Sequence, residues 1–398
     1  MNTKKLTENP IFAMSLSSKE LFHSNFWGWL CGRTDVGAEY ARIFFPEIKE
    51  VPEVKREQGH RDLTFWQNDV AYVIENKFKS IPNKSQLLDY QKDLEQKADK
   101  KKGDVFGKGI LTGLKKPSFI GDPELSKWSF ITYKRIGEDI VKIAKSGIET
   151  DAFTRDIIVS YGELIQELYE ALMEKLKLAE KEWIYYDEDL ANIRMNDIYS
   201  KLVASQLAEH LRENLVANKR IGDYELYIDS DYGQGGALVN VRYAIIDEEL
   251  KKKYRNPDDG KYRLDCIGIQ IEGNSYRWCA SVAKNYKKYS LETDMLFDEI
   301  KKTFQWFVDY DYKKKPKMIT DHIDGSIKRC TKQSKPRSTD NKKEFPYHLY
   351  TGSANNPYTF MYQFWTINDR ESFDYICEEV QRDIDRAAEI IKAYTSGA

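Results

Sequence analysis

The sequence predicts an α/β domain over residues 1–218, a mixed sheet flanked by helices, followed by an α+β domain over 219–398. Three observations carry this. Signals in the first half run helix, three strands, helix, then further strands. At their centre lies 56–90, REQGHRDLTFWQNDVAYVIENKFKSIPNKSQLLDY, where two strand-like runs flank Asn68-Asp69 and lead into a helix. Past Gly222 the pattern becomes short aromatic and β-branched runs joined by Gly, Asn and Asp, closed by one amphipathic helix.

Taken in order, Ser17-Ser18-Lys19-Glu20 has capping-box spacing and opens an amphipathic helix, LFHSNFWGWLC. A first strand over 51–58 is broken by Gly59, and the runs 61–67 and 70–79 form a hairpin. Pro82-Asn83 stops the third strand, and Asn83-x-x-Gln86 is again a capping box. Further strands are expected over 109–114 and 127–134, with 97–104 (KADKKKGD) as a solvated helix end and loop. Helical stripes follow over 151–183, along Phe153, Ile157, Tyr161, Ile165, Leu168 and Leu172, and over 195–216. In the second domain, 224–228, 237–246, 262–271, 276–282 and 358–367 read as strands, and 297–310 as a helix. Asn368 to Glu371 would cap a last helix.

The hairpin concentrates charge. Asn and Asp tolerate the left-handed backbone of a two-residue turn. With Gln67 opposite Val70, the ladder runs through Leu63 and Ile74 to Asp62 and Glu75. Directly opposed side chains lie about 4.5–5.5 Å apart at Cβ, and like charges there destabilise a sheet. Lys77 shares the face of Glu75, because side chains alternate along a strand. A cation would convert the carboxylate repulsion into attraction, and Mg²⁺ is commonly held by one or two carboxylates, waters and substrate phosphates. A structural salt bridge between Lys77 and one carboxylate accounts for the same residues. Glu-x-Lys recurs at Glu47, Glu53, Glu95 and Glu299, but only Glu75-Asn76-Lys77 combines an apolar strand, an aspartate in register and a Gln/Tyr helix behind.

Asp62 with Glu75-Asn76-Lys77 resembles the signature of the PD-(D/E)XK nuclease superfamily, and Gln86-Leu87-Leu88-Asp89-Tyr90 resembles the Q-x-x-x-Y motif of its RecB-like branch. Glu20-Leu21-Phe22-His23-Ser24 is similar to a helix of some bacterial members, and Arg61 stands where the name-giving Pro would be. The resemblance covers the first half of the chain. It implies a restriction-endonuclease-like αβββαβ core and metal-dependent hydrolysis of phosphodiester bonds, with DNA the expected substrate and restriction or defence the expected setting. Asp62 and Glu75 would hold Mg²⁺ or Mn²⁺, with the Asn76 carbonyl and Glu20 as further candidate ligands. Lys77 would act on the attacking water or the phosphorane, and Gln86 and Tyr90 would position the lysine or a backbone phosphate. Glu20 and Gln86 each keep a second reading, as the partner in a capping box.

A net charge of −2 excludes a global basic footprint, so any nucleic-acid surface must be local. The stretch 313–344 holds eleven cations against four carboxylates, with Lys313, Lys314, Lys315, Lys328 and Arg329 the candidate phosphate contacts. A solvated loop explains the same composition. Cysteines 31, 266, 279, 330 and 377 show no C-x-x-C spacing and fit a reducing cytoplasm. MNTKKLTENPIFAMSL lacks the apolar core of a signal peptide, and no stretch approaches a membrane span, so a cytoplasmic protein with no membrane partner is expected. Zincin, nucleophile-elbow, P-loop and dinucleotide-binding motifs are missing, which removes support for those chemistries.

Two other readings follow. One is a catalytically silent nuclease fold serving as a nucleic-acid-binding or sensor module, against which the intact Asp62, Glu75 and Lys77 argue. The other makes the second domain a partner- or ligand-binding module that gates the first. Its aromatic run 358–365 would be a stacking surface or core. Nucleic acid and a second copy of the chain, as a homodimer, are the partners carried forward.

Overall fold

The computed structural model describes residues 6, 10–16, 19–100, 105–147, 150–233, 236–247, 249–250, 263–283, 306, 327–329, 348–351, 358–367 and 371–396. The chain divides into two compact units, Met1–Lys177 with Tyr186–Leu202, and Leu178–Tyr185 with Val203–Ala398. Among the described residues no helix is long and apolar enough to cross a membrane.

The first unit opens with helices α1 (Pro10–Ser15), α2 (Lys19–Cys31) and α3 (Gly37–Phe44). Strands β1 (Glu53–Arg56), β2 (Leu63–Gln67) and β3 (Val70–Lys77) follow, then helix α4 (Lys84–Lys100) and strands β4 (Val105–Gly113) and β5 (Trp128–Thr132). Helices α5 (Tyr133–Lys145), α6 (Ala152–Ala179), α7 (Glu188–Asn192) and α8 (Asn196–Asn214) complete this part of the chain. The sheet order is β1-β2-β3-β4-β5. Antiparallel pairing through β1, β2 and β3 gives way to parallel pairing of β3 with β4 and of β4 with β5. A parallel neighbour needs a crossover, which α4 supplies. This mixed five-stranded sheet with its helices is consistent with a restriction-endonuclease-like fold.

Asn68 and Asp69 take φ of 50° and 61°, the left-handed turn their side chains tolerate. The ladder then runs as the turn length dictates, from Gln67 opposite Val70 to Leu63 opposite Ile74. Alternation along β3 sends Ala71 and Val73 to a core shared with Leu87, Tyr90 and Leu94 of α4 and Leu111 of β4. Aromatic residues fill another core region, where Trp27 of α2 lies 5.4 Å from both Phe44 and Tyr133, centroid to centroid.

Two expected boundaries move. The strand expected over 127–134 stops at Thr132, whose side chain accepts from the Arg135 N–H and so starts α5. Asp151 caps α6 through the Thr154 N–H; Phe153 is 74% exposed and Thr154 and Ile158 are buried in place of Phe153 and Ile157, while Tyr161, Ile165, Leu168 and Leu172 of the expected stripe are buried.

The second unit is an antiparallel sheet of β6 (Arg220–Ile221), β7 (Tyr224–Gly233), β8 (Gly236–Ala244), β9 (Arg263–Glu272), β10 (Ser275–Ala283), β11 (Ile327–Arg329), β12 (His348–Thr351) and β13 (Tyr358–Ile367), with helix α9 (Phe373–Ser396) against β8 and β9. The buried Asp383 of α9 accepts from Tyr276 Oη and Trp278 Nε1, both at 2.7 Å. Ser372 caps α9 by accepting from the Tyr375 N–H at 3.1 Å, and residues 368–370 of the expected cap lie outside the described residues. Lys328 and Arg329 belong to a strand paired with β13, not to a loop. Lys313, Lys314 and Lys315, and the helix expected over 297–310, lie outside the described residues.

Candidate active site

The rung expected between Asp62 and Glu75 is not formed. The β2–β3 ladder stops at Leu63 and Ile74. Before it, Glu57, Gly59 and His60 take positive φ, which lifts the chain away from extended geometry. Asp62 is nevertheless brought to the end of β3, because its Oδ2 accepts from the main-chain N–H of Asn76 at 2.7 Å.

Glu75 and Lys77 share one face, as their spacing requires, and Lys77 Nζ lies 3.0 Å from Glu75 Oε1. Glu75 is 2% exposed; the Tyr90 hydroxyl approaches its carboxylate but gives its one proton to the His60 carbonyl, so Oε2 is left without a donor. Burial pushes the Glu75 carboxyl up to about 7; Lys77 opposes the shift and the charge of Asp62 adds to it. Burial likewise raises Asp62 to about 6, opposed by the Asn76 N–H and reinforced by Glu20. Two carboxyls with raised values beside one ammonium form a site short of positive charge.

Asn76 faces the other way. Its Nδ2 donates to the Glu20 carbonyl at 2.9 Å and to Ser24 Oγ at 3.0 Å, while its Oδ1 accepts from Thr112 at 3.3 Å and from Tyr133. The side chain is therefore fully engaged in joining α2, β3, β4 and α5, and only the Asn76 carbonyl is left as a candidate ligand. Glu20 is engaged too: Oε1 accepts from the Lys79 and Ser80 N–H groups and Oε2 from the Ser80 hydroxyl at 2.6 Å. Its carboxylate thus fastens the turn after β3, while its charge still reaches Asp62 and Glu75.

Gln86 does not close a capping box. Asn83 caps α4 through Ser85, and Gln86 Nε2 donates instead to Tyr90 Oη at 2.6 Å. Tyr90 in turn donates to the His60 carbonyl. The Gln/Tyr pair therefore grips the loop that leads into Asp62. Beside it lies a contact that sequence reasoning missed, Arg61 NH1 to Asp93 Oδ2 at 2.8 Å. Its only sequence signal is Asp93 one turn beyond Tyr90 on α4.

Among the described residues no group of three or more His, Cys, Asp or Glu side chains is placed to hold a metal ion. The donor set is smaller, two carboxylates, and that suits Mg²⁺, which completes its shell with water and substrate phosphates. The unpaired Oε2 of the buried Glu75 fits such an ion.

Fold and site together define an α/β domain with an Asp/Glu/Lys centre at the end of its central hairpin. Residues 47–163 match the family model of the PD-(D/E)XK nuclease superfamily, and this segment spans Asp62 to Tyr90 and excludes Glu20. None of the curated proteins and none of the solved structures matches the chain.

Proposed function

We propose that the protein is a metal-dependent nuclease that hydrolyses phosphodiester bonds, with DNA as substrate and Asp62 and Glu75 holding Mg²⁺ or Mn²⁺. One observation carries this: Glu75 is buried with one oxygen on Lys77 and the other unpaired. A buried polar atom left unpaired costs about 1–3 kcal/mol, and native proteins rarely retain one without a ligand or a strain to explain it. A salt bridge alone accounts for Oε1 and leaves Oε2 unexplained.

When bound, a divalent ion supplies the charge that polarises the phosphate and acidifies a water. Lys77, held beside Glu75, hydrogen-bonds the attacking water or stabilises negative charge developing on the phosphoryl oxygens. The Asn76 carbonyl is a further ligand, and Glu20 acts through its charge and by fixing the turn at Lys79 and Ser80. Gln86 and Tyr90 support the RecB-like assignment by their spacing and work here through His60. Lys313, Lys314, Lys315, Lys328 and Arg329 add phosphate contacts, and restriction or defence is the setting that fits a nuclease with a second unit.

The test is cleavage of supercoiled and linear DNA and of RNA with Mg²⁺ or Mn²⁺, by wild type, Glu75→Ala and Lys77→Ala. Loss of cleavage in both variants supports the reading. A wild type that cuts nothing but still binds nucleic acid would favour the silent-module alternative.

A further inference from the structure

We infer that the Arg61–Asp93 ion pair is a positioning device: it clasps the 57–62 loop to α4 and thereby sets the Asp62 carboxylate against the end of β3. This rests on the metal-centre reading for its purpose, though not for its geometry.

Three consecutive residues are held by three different groups. The His60 carbonyl accepts from Tyr90 Oη, Arg61 pairs with Asp93 at 2.8 Å, and Asp62 accepts from the Asn76 N–H at 2.7 Å. Gln86, Tyr90 and Asp93 recur at helical spacing, so one face of α4 makes both of the first two grips. The loop does not hold this shape unaided. Glu57 and His60 take φ of 52° and 63°, a region side-chain-bearing residues rarely adopt, and such conformations persist only where surroundings enforce them.

Arg61 is 2% exposed, with its Nε lacking a hydrogen-bond partner. The Asp93 side chain is 42% exposed, and an ion pair with one solvated partner contributes about 0–1 kcal/mol, so stability alone does not explain it. Room is made for it as well. Gly59 has φ of +62°, and a Cβ there would lie 2.9 Å from Arg61 NH2. The pair therefore shapes the approach to Asp62 while Arg61 and Asp93 stay outside the proposed ligand set. They are positioning residues.

The experiment uses the full chain with Asp93→Asn, and with Ile140→Val on the buried side of α5 as a control for general loosening. Two quantities are read where each variant is folded: Mn²⁺ affinity by calorimetry, and hydrogen exchange of the Asn76 amide by NMR. Loss of an outer-shell contact typically weakens metal binding about 10–100-fold. Asp93→Asn is expected to weaken Mn²⁺ binding by that factor and to speed exchange at Asn76, while Ile140→Val changes neither. Wild-type values of both in Asp93→Asn overturn the clasp, as does an equal change in Ile140→Val. If wild type binds no Mn²⁺ yet Asp93→Asn still speeds exchange at Asn76, the clasp stands and the metal-centre reading falls. Should Asp93→Asn fail to fold, Arg61→Lys, which retains the charge but loses the planar fork, is measured in its place. Weaker Mn²⁺ binding and faster Asn76 exchange in that variant support the clasp, and wild-type values of both overturn it.

Discussion

The Asn76 N–H donates to Asp62 Oδ2 at 2.7 Å, so a residue outside the β2–β3 ladder is tied to the strand that carries Glu75. Strand alternation then separates two tasks. Glu75 and Lys77 face the candidate metal site, while the Asn76 side chain between them anchors β3 to Ser24, Thr112 and Tyr133.

Glu75→Ala and Lys77→Ala should part company in metal affinity. Glu75→Ala is expected to lose both cleavage and Mn²⁺ binding, since a two-carboxylate site has no ligand to spare. Lys77→Ala should lose cleavage yet bind Mn²⁺ as well as wild type or better. Removing a cation relieves repulsion worth roughly 3 kcal/mol per unit charge at about 5 Å and an effective dielectric near 20, before screening. Calorimetric titration of both folded variants decides, and equal affinity in wild type and Glu75→Ala would rule out the assignment.

The raised carboxyls dictate a pH dependence. Values of about 6 for Asp62 and about 7 for Glu75 lie above those of an unfolded chain. Their contribution to stability is therefore fully present below the unfolded carboxyl values and is lost as pH rises through the folded ones. Metal-free protein should lose stability between about pH 4 and pH 7 on this account. Mn²⁺ needs the deprotonated forms, so its affinity should climb over the upper part of that window and level off above the folded values. Thermal unfolding with and without Mn²⁺ at pH 5 and pH 8 checks both signs. A larger Mn²⁺-induced rise at pH 5 would contradict them.

Asn76→Ala should be a stability lesion before it is a catalytic one. It removes the acceptor of the buried Tyr133 hydroxyl and leaves Ser24 Oγ and the Glu20 carbonyl with only their bond to each other. A loss of about 1–3 kcal/mol is expected from the unsatisfied Tyr133 hydroxyl and the bonds removed. Denaturant unfolding measures it, and a loss below about 1 kcal/mol would mean that water replaces the amide.

Neutralising Lys313, Lys314 and Lys315 together should flatten the salt dependence of DNA binding. Each phosphate contact contributes a slope of roughly −0.9 in log affinity against log salt on duplex DNA. An unchanged slope would mean that these lysines make no phosphate contact.

The hairpin is legible from sequence almost rung by rung. Its determinants are local: a two-residue turn whose Asn68 and Asp69 accept positive φ, and a side-chain period of two. The same alternation places Glu75 and Lys77 together. The last rung fails because the left-handed Glu57, Gly59 and His60 belong to a loop whose shape depends on α4, not on its own few residues. The spacing around Gln86 marks the start of α4, while Ser17 and Ser18 of the capping box expected at Glu20 lie outside the described residues. The Glu20 and Gln86 side chains, though, find Ser80 and Tyr90, groups whose positions are set only once β3 and α4 are packed. Arg61 and Asp93 stand 32 residues apart, and no local pattern announces their pairing. What the tertiary structure alone decided is the desolvation of Glu75: a charge becomes costly only when the elements around it exclude water, and that depends on packing rather than on residue order.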